Sequence, residues 1–278
     1  MKHLYDDLSR KISKLTTNQY STSFSFSSKL LSKEIRPAIY SIYGLVRLAD
    51  EIVDSFHNYN KANLLNKLKK DFKDSIDMKI SLNPILNSFQ EVYHKYNFEP
   101  YLIEKFFDSM EMDLNEEYYD AKLYNQYIHG SAEVVGLMCL KVFTKSNEEL
   151  YNKLKYSAMK LGSAFQKVNF LRDIEYDNAE LGRMYFPNIA LTKMTNSQKN
   201  SIIDDIDADF NEALVGLKQL DKDSFFGVYV AYIYYKELLN KIKKVNLSRL
   251  HKERIRISNF RKISLVVNSA IKVNLGLV

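Results

Sequence analysis

The segment from Ile42 to Asp54, IYGLVRLADEIVD, places charged residues inside an otherwise apolar stretch. At about 100° per residue, Asp50 and Asp54 lie on one face of a helix, with Tyr43 and Arg47 within about 60° of them. The flanking positions are apolar nearly all round, which indicates a helix buried in the protein core. Charges on such a helix must be paired or must bind a metal ion. The fold therefore has to surround this face with partners for its carboxylates.

A second polar face lies between Gly162 and Asp177. On the same helical geometry, Asn169, Asp173 and Asp177 fall within about 80°, and Gly162 and Gln166 lie on that stripe. This face carries no cation, whereas a solvent-exposed face normally alternates Lys and Glu. For either stripe alone, a structural ion-pair network is a sufficient interpretation. Two carboxylate stripes across a cavity would instead provide the oxygen ligands that Mg²⁺ prefers, and Mg²⁺ commonly bridges to substrate phosphates.

Helical periodicity also accounts for the rest of the chain. Its 278 residues include only 8 Gly and 4 Pro, and strand-like alternation is absent, so we predict an all-α fold. Pro37, Pro84 and Pro100 can each open a helix, and Thr195 and Gln198 have the spacing of a capping box. Further helices are expected over residues 1–18, 60–80, 124–144 and 147–177, a loop over 178–194, and two helices near the end. No linker or repeat divides the chain, so residues 1–278 are expected to form a single domain.

Composition limits the partners and the compartment. The formal net charge is +6, from 40 basic and 34 acidic residues. The lysines are scattered among acids without a nucleic-acid-binding signature, so we expect no nucleic-acid partner and only a weak preference for anionic ones. The single Cys139 excludes an intrachain disulfide, and the start MKHLYDDLSRK lacks the pattern of a secretory signal. The most apolar patch, residues 134–143, is too short to span a bilayer. A soluble, cytoplasmic protein is therefore expected.

The two stripes belong to motifs that resemble those of the squalene/phytoene synthase family, the head-to-head prenyl synthases. RLADEIVD at residues 47–54 is similar to the family's Arg-x-x-Asp-x-x-x-Asp element. NFLRDIEYD and GRMYFP, within residues 169–187, are similar to its Asn-x-x-Arg-Asp-x-x-x-Asp and Gly-Arg-x-Tyr-x-Pro elements. The similarity continues in the family's order through YSTSFSFSSKLL (20–31), SMEMDL (109–114), YIHGSAEVVGL (127–137) and LGSAFQKVNFLRD (161–173). Bacterial phytoene synthases of carotenoid pathways are the members that the chain resembles most.

The resemblance implies a class I isoprenoid synthase fold, a helical bundle around a central cavity, and assigns roles by position. Ligands for Mg²⁺, with Mn²⁺ as an alternative ion, would be Asp50, Asp54, Asn169, Asp173 and Asp177. Phosphate oxygens would be contacted by Arg47, Arg172, Arg183 and Arg254, with Tyr235 nearby. The reacting end of the pocket would be lined by Ser21, Tyr43, Tyr127 and Gln166, and the tunnel for the prenyl chains by Phe24, Ala132, Val135, Gly136 and Phe165. Catalysis would depend most directly on the four aspartates together with Tyr43 and Arg47.

Two residues depart from the family pattern. Many relatives have two adjacent aspartates in the first motif, where this chain has Asp50 and Glu51. Glu51 lies about 100° from Asp50, off the ligand stripe, so we expect it to be dispensable. In the tunnel helix Glu133 replaces a frequent glycine, and a buried carboxylate without a partner would be costly there. Glu133 is therefore expected either to face away from the tunnel or to have a partner.

The implied reaction joins two geranylgeranyl diphosphates head to head. An allylic diphosphate ionises in an apolar tunnel, the double bond of a second substrate attacks, and a cyclopropylcarbinyl diphosphate (prephytoene diphosphate) rearranges to phytoene for carotenoid biosynthesis. Because proton loss ends this sequence, no nicotinamide cofactor is expected. A downstream carotenoid desaturase and a peripheral contact with the inner membrane for product release are further partners that such a pathway suggests.

Three alternatives stay open at this point. A dehydrosqualene or squalene synthase would use farnesyl diphosphate, and the products formed with and without reduced nicotinamide would distinguish it. A non-catalytic helical assembly factor would keep the fold without metal-dependent release of diphosphate. A nucleic-acid binder is the weakest alternative, because the acidic stripes would repel phosphate groups.

Overall fold

The computed structural model describes residues 1–115, 118–187, 189, 194–250 and 252–278. These residues form thirteen α-helices and one π-helical segment, and no β-strand occurs among them. In chain order they are α1 (Lys2–Tyr20), α2 (Thr22–Ser28), α3 (Arg36–Ser55), α4 (Lys61–Met78), α5 (Pro84–Lys95), α6 (Pro100–Asn115), α7 (Ala121–Ile128), the π-helical segment (His129–Glu133), α8 (Val134–Phe143), α9 (Glu148–Ala179), α10 (Asn196–Leu217), α11 (Phe225–Lys244), α12 (Leu247–Leu250) and α13 (Asn259–Asn274). The predicted all-α class is confirmed. None of these helices is long and apolar enough to cross a bilayer.

Prolines and side-chain caps define several helix starts as the sequence predicts. Pro37 lies in the first turn of α3, and Pro84 and Pro100 begin α5 and α6. Proline suits this position because its missing N–H would have no partner in the helix anyway. Thr195 caps α10 by accepting a hydrogen bond from the Gln198 backbone, and the Gln198 side chain accepts one from the Thr195 backbone. The predicted capping box is therefore present.

Two boundaries differ from the sequence prediction. The helix expected over residues 124–144 begins earlier, at Ala121, and is interrupted by the π-helical segment. The loop expected over residues 178–194 begins later, because α9 continues to Ala179. Residues 188 and 190–193 of that loop lie outside the described part of the chain.

The π-helical segment lies where two neighbouring helices approach its backbone. A Cβ atom on Gly130 would lie 2.4 Å from the carbonyl oxygen of Lys105 in α6. A Cβ atom on Gly162 of α9 would lie 2.5 Å from the carbonyl oxygen of Ala132. The absence of these side chains lets α6 and α9 pack directly on the wider turn. Periodicity could not reveal the turn, because the apolar spacing on either side of it remains helical.

Helices α3 and α9, which carry the two acidic stripes, form two walls of the core. Helix α3 packs on α1, α5, α6 and α8, whereas α9 packs on α8, α10, α11 and the π-helical segment. The contact between α9 and α10 includes a buried ion-pair cluster in which Lys160 and Lys167 meet Asp209. Because α8 contacts both α3 and α9, it holds the two acidic walls in a common framework.

Candidate active site

The wall formed by α3 presents Arg47, Asp50 and Asp54 in different electrostatic settings. Arg47 forms an ion pair with Glu51, one turn away, and its guanidinium lies 4.4 Å from the centre of the Tyr20 ring. The Asp50 carboxylate forms no hydrogen bond or salt bridge with any described residue. Burial raises its pKa to about 8, and the nearby Asp54 adds to the rise. Glu51, off the ligand stripe, is thus a counter-ion for Arg47.

The wall formed by α9 has one paired and one unpaired carboxylate. Asp173 Oδ1 lies 2.9 Å from Arg172 Nε and 2.6 Å from Arg254 Nε. The Asp177 carboxylate has no hydrogen-bonding or ionic partner among the described residues, although the Asp177 backbone carbonyl accepts a hydrogen bond from the Arg183 N–H at 2.9 Å. Burial raises the pKa of Asp177 to about 8, with further increases from Asp173 and from Asp54 of α3. The acidic stripes of α3 and α9 therefore lie close enough to repel each other.

Arg183, which follows α9 in the chain, connects α3 to α6. Its side chain is only 7% exposed. Arg183 Nη1 donates to Asp54 Oδ1 at 2.7 Å, and Nη2 donates to the backbone carbonyls of Val53 and Asp113 at 3.2 and 2.9 Å. The sequence predicts that this residue contacts phosphate oxygens. In the structure its guanidinium is engaged by protein acceptors at the meeting point of the carboxylates.

Asp113 of α6 is a site residue that sequence reasoning missed. Its carboxylate accepts hydrogen bonds from Tyr127 and Tyr185 at 2.8 and 2.9 Å, and it lies 3.3 Å from Arg183. Burial raises its pKa to about 6, while Arg183 limits the rise. A signal was present, because Asp113 continues the buried face of α6 three residues after Met110. Tyr127, predicted at the reacting end of the pocket, belongs to this buried hydrogen-bonded cluster.

Two stacked aromatic pairs join predicted site residues. The rings of Tyr235 and Phe165 stack with centroids 4.0 Å apart, and the Tyr235 hydroxyl donates to Asn169 Oδ1 at 3.3 Å. The rings of Phe24 and Tyr43 stack at 4.7 Å. Burial raises the pKa of Tyr43 to about 12, so its hydroxyl stays protonated near neutral pH. The pair containing Tyr235 links the acidic face of α9 to an aromatic surface.

Ser21 and Gln166 adjoin these aromatic pairs. Ser21 Oγ accepts a hydrogen bond from the backbone N–H of Phe24 at 3.1 Å and so caps α2. Gln166 Oε1 accepts from Asn169 Nδ2 at 3.5 Å. Each of these two residues therefore contacts another predicted site residue. Ser21 contacts Phe24 of α2, and Gln166 contacts Asn169 of α9.

An apolar cavity of about 250 Å³ lies among α2, α8, α9, α10 and α11. Along α9 its lining runs from Gln166 to Leu154, about 18 Å at 1.5 Å per residue. All five predicted tunnel residues line it, namely Phe24, Ala132, Val135, Gly136 and Phe165. Large apolar side chains form much of the remaining wall, including Leu31, Leu140, Phe143, Leu217 and Leu220. The cavity therefore presents a long apolar surface that begins beside the polar face of α9.

Gly136 lines the cavity at a position with no room for a side chain. A Cβ atom there would lie 2.8 Å from the carbonyl oxygen of Ala158 in α9. Gly136 therefore sets the separation of α8 and α9, and a bulky residue would push these helices apart. Ala158 also lines the cavity and already carries a Cβ atom, so it is the better position at which to narrow the space.

Glu133, the departure in the tunnel helix, has a partner. Its Oε2 lies 2.8 Å from His129 Nδ1, and His129 Nε2 lies 2.6 Å from the Tyr101 hydroxyl. Glu133 is not among the residues that line the cavity. The carboxylate is thus accommodated outside the apolar wall by a polar chain that reaches α6.

The donor set of the two acidic walls fits a hard divalent cation. Among the described residues, no three His, Cys, Asp or Glu side chains converge closely enough to hold a metal ion by themselves. The donors facing each other are nevertheless oxygens, and Asp50 and Asp177 lack cationic partners. Mg²⁺ typically takes only one or two carboxylates and completes its shell with water and substrate phosphate oxygens. The arrangement therefore suits an ion that binds together with an anionic substrate.

Comparison with known proteins shows which family the chain and its fold resemble. Residues 17–261 match the family described as "Squalene/phytoene synthase". The 4,4'-diapophytoene synthase of Staphylococcus haemolyticus is 24% identical over 272 residues, which cover 90% of this chain and 92% of that protein. Phytoene synthase 1, chloroplastic, of Zea mays is 24% identical over 248 residues, covering 81% of this chain but only 59% of the longer relative. A crystal structure of a dehydrosqualene synthase with a bound ligand has the same fold, with a TM-score of 0.83 at 20% identity over 97% of this chain and 98% of the other.

Replacing the unpaired carboxylate of Asp50 and the paired carboxylate of Asp173 should change the melting temperature in opposite directions. Asp50→Asn removes a buried charge that lacks an ion pair, so we expect a melting temperature about 2–4 °C higher without divalent ions. Asp173→Asn breaks the contacts to Arg172 and Arg254, so we expect a similar decrease. Differential scanning calorimetry with a chelator at pH 8 measures both. A lower melting temperature for both variants would contradict the assignment of Asp50 as an uncompensated charge.

The stability of the metal-free protein should also depend on pH. The pKa values of Asp50 and Asp177 rise from 3.8 to about 8 on folding. Over that interval the unfolded chain releases protons that the folded protein retains, so the free energy of unfolding falls as the pH rises from 3.8 towards 8. Urea titrations across this range should show the decline, and Asp50→Asn with Asp177→Asn should flatten it. An unchanged pH profile in the double variant would show that other groups cause the decline.

Proposed function

The chain belongs to the squalene/phytoene synthase family of head-to-head prenyl synthases, and on that basis we propose that it condenses two geranylgeranyl diphosphates to phytoene. The observation that carries this proposal is the junction of an apolar cavity with a charged site. Gln166 and Tyr235 line the cavity, and both contact Asn169 on the acidic face of α9. A prenyl diphosphate has the same two parts, an apolar chain and an anionic head.

The charged end would hold the diphosphate groups through arginines and through metal ligands. Arg172 and Arg254 both contact Asp173 and so lie beside the acidic face of α9, while Arg47 lies on the α3 wall. Arginine suits this role because its planar fork matches phosphate oxygens. Mg²⁺, or Mn²⁺ in its place, would neutralise charge on the leaving diphosphates when bound, with ligands from Asp50, Asp54, Asn169, Asp173 and Asp177.

The carbon chemistry would occur against aromatic walls from which water is excluded. Departure of diphosphate from the first substrate leaves an allylic cation, and the double bond of the second substrate forms a carbon–carbon bond to it. Loss of a proton closes the cyclopropane of the cyclopropylcarbinyl diphosphate. Ionisation of that intermediate, rearrangement and loss of a second proton give phytoene, so two diphosphates and two protons leave in all. The stacked pairs Phe24–Tyr43 and Phe165–Tyr235 offer π faces that stabilise the cations.

Dehydrosqualene formation from farnesyl diphosphate is the second candidate. It is favoured by the 4,4'-diapophytoene synthase relative, which this chain matches over 92% of that protein's length. Phytoene formation is favoured by the resemblance of the motifs and by the long lining of the cavity along α9. A non-catalytic assembly factor would not need the acidic walls. Because buried unpaired carboxylates lower the stability of the folded protein, their presence argues against that role.

Incubation of the purified protein with Mg²⁺ and either prenyl diphosphate tests the proposal. We expect phytoene as the main hydrocarbon from geranylgeranyl diphosphate, slow formation of dehydrosqualene from farnesyl diphosphate, and no change in product with reduced nicotinamide. Asp50→Ala and Asp173→Ala should each lower turnover by at least about 100-fold. Mass spectrometry identifies the products. Turnover of farnesyl diphosphate but not of geranylgeranyl diphosphate would favour the second candidate. If neither substrate reacts, with or without Mg²⁺, the non-catalytic role is favoured.

Narrowing the cavity at Ala158 should shift the preference towards the shorter substrate. Gln166 and Ala158 are eight residues apart, about 12 Å along α9, so a larger side chain would block the far part of the cavity. We expect Ala158→Leu to lower the ratio of turnover with geranylgeranyl diphosphate to turnover with farnesyl diphosphate by at least tenfold. The reason is that each methylene in an apolar pocket contributes about 1–3 kcal/mol to the discrimination between substrates. Ala179→Leu, at the exposed end of the same helix, is the matched control. If the ratio of turnover with the two substrates is the same in both variants, this cavity does not determine which chain length the protein prefers.

A further inference from the structure

Helix α13 carries an exposed apolar stripe on the side opposite its packed face. Phe260, Ile263, Val267 and Ile271 are 85%, 57%, 52% and 52% exposed, and helical geometry places all four within about 80°. Leu265, on the other side, is buried, and the helix packs on α11. A surface helix normally turns polar residues to solvent. Helix α13 is therefore apolar both where it packs and where it is exposed.

The positive charge of the protein is concentrated in the same region. Residues 240–278 contain ten Lys and Arg and a single acid, Glu253, whereas the preceding 239 residues contain 30 basic and 33 acidic residues. The net charge of +6 is therefore not spread evenly, as the scattered lysines had suggested. It arises from the C-terminal segment that ends in α13.

Several of these cations are exposed and unpaired. Arg261 pairs with Glu237, Lys243 with Asp207, and Arg254 with Asp173. By contrast, five exposed cations have no acidic partner within 4 Å among the described residues, namely Lys241, Lys244, Lys252, Arg256 and Lys272. Lys272 lies about 100° from Ile271 on α13, outside the exposed apolar stripe and about 20° from Leu265 on the packed side. An exposed apolar face in a segment that is rich in unpaired cations matches an anionic lipid surface better than an apolar protein surface.

The inner side of α13 adjoins the main cavity. A small space of about 20 Å³ lies among α2, α11 and α13, where Val230, Lys262, Leu265 and Val266 contribute to its lining. Three residues, Ser23, Ser27 and Tyr234, line both this space and the main cavity. The cavity wall between α2 and α11 therefore has α13 directly behind it.

We propose that α13 docks the protein on an anionic bilayer, and that the hydrocarbon product leaves the cavity between α2 and α11, beneath α13, into that bilayer. The second part rests on the proposed function, since it requires a water-insoluble product. The first part rests on the exposed stripe and its charges alone. Docking places the opening next to lipid, so the product passes from an apolar cavity to an apolar phase without crossing water.

Flotation of the purified protein with vesicles tests the docking surface without any need for turnover. We expect binding to vesicles of phosphatidylcholine and phosphatidylglycerol, at least tenfold weaker binding to phosphatidylcholine alone, and release by salt. The triple variant Phe260→Ser, Ile263→Ser and Val267→Ser should bind at least tenfold more weakly than the wild type. The matched control replaces three exposed leucines on one face of α1 by Ser, at Leu4, Leu8 and Leu15. Circular dichroism checks that both variants are folded.

Failure of the wild type to float with anionic vesicles would overturn the proposal. So would equal binding of the stripe variant and the control. If the wild type does not float but the stripe variant lowers its sedimentation coefficient, the stripe is an interface between copies of the chain and the bilayer is the wrong partner. None of these outcomes depends on which hydrocarbon is made, so failure here is distinct from failure of the proposed function.

A kinetic comparison tests the exit route. Val266→Trp fills the small space under α13, and Val266→Leu is a milder version. We expect the larger substitution to lower steady-state turnover about tenfold while the rate of a single turnover, measured as diphosphate release, stays unchanged. Asn268→Trp, at an exposed position of the same helix outside the apolar stripe, is the control. Unchanged steady-state turnover, or an equal loss in the single turnover, would show that the product leaves elsewhere.

Discussion

The guanidinium of Arg183 is the contact on which the arrangement of the site depends. It donates to Asp54 and to the Val53 carbonyl of α3, and to the Asp113 carbonyl of α6. A buried carboxylate without a partner is costly, and here α3, α6 and α9 bring acidic side chains to one place. The guanidinium offsets part of that cost and joins α3 to α6, while the Arg183 backbone N–H donates to the Asp177 carbonyl of α9. The compensation is incomplete, because burial and neighbouring acids raise the pKa values of Asp50 and Asp177 to about 8. A site with this surplus of negative charge is suited to a cationic ligand.

The apolar cavity begins where this charged region ends, and α9 supplies both. The C-terminal half of α9 carries Asn169, Asp173 and Asp177, while its earlier turns line the cavity from Gln166 to Leu154. One continuous helix thereby sets the spacing between the ionic site and each position along the cavity. Close packing of α9 on the π-helical segment and α8 keeps this wall rigid, because Gly162 and the Gly136–Ala158 contact leave no space between the backbones.

The C-terminal segment adds a different surface to the same molecule. The acidic walls require cations inside the bundle, whereas the basic residues after α11 lie mostly at its exterior. Arg254 connects the two regions, since it is exposed on one side and pairs with Asp173 on the other. The unpaired carboxylates therefore lie inside the bundle, whereas most of the unpaired cations are exposed in the segment that ends in α13.

Local pattern in the sequence was sufficient for the helical class, the starts at Pro37, Pro84 and Pro100, and the two acidic stripes. These features depend on residues three or four apart, which a helix brings to one face whatever surrounds it. Only the tertiary structure decided what each face meets. The pairing of Arg183 with Asp54 joins residues 129 positions apart, and the roles of Asp113 and Glu133 depend on tyrosine and histidine partners from other turns and helices. Seven-residue α2 has too few turns for periodicity to show, and the apolar residues of α13 form a regular pattern whether or not another helix covers them. Periodicity identifies an apolar face, but the neighbour that covers it is chosen by the packing of the whole chain.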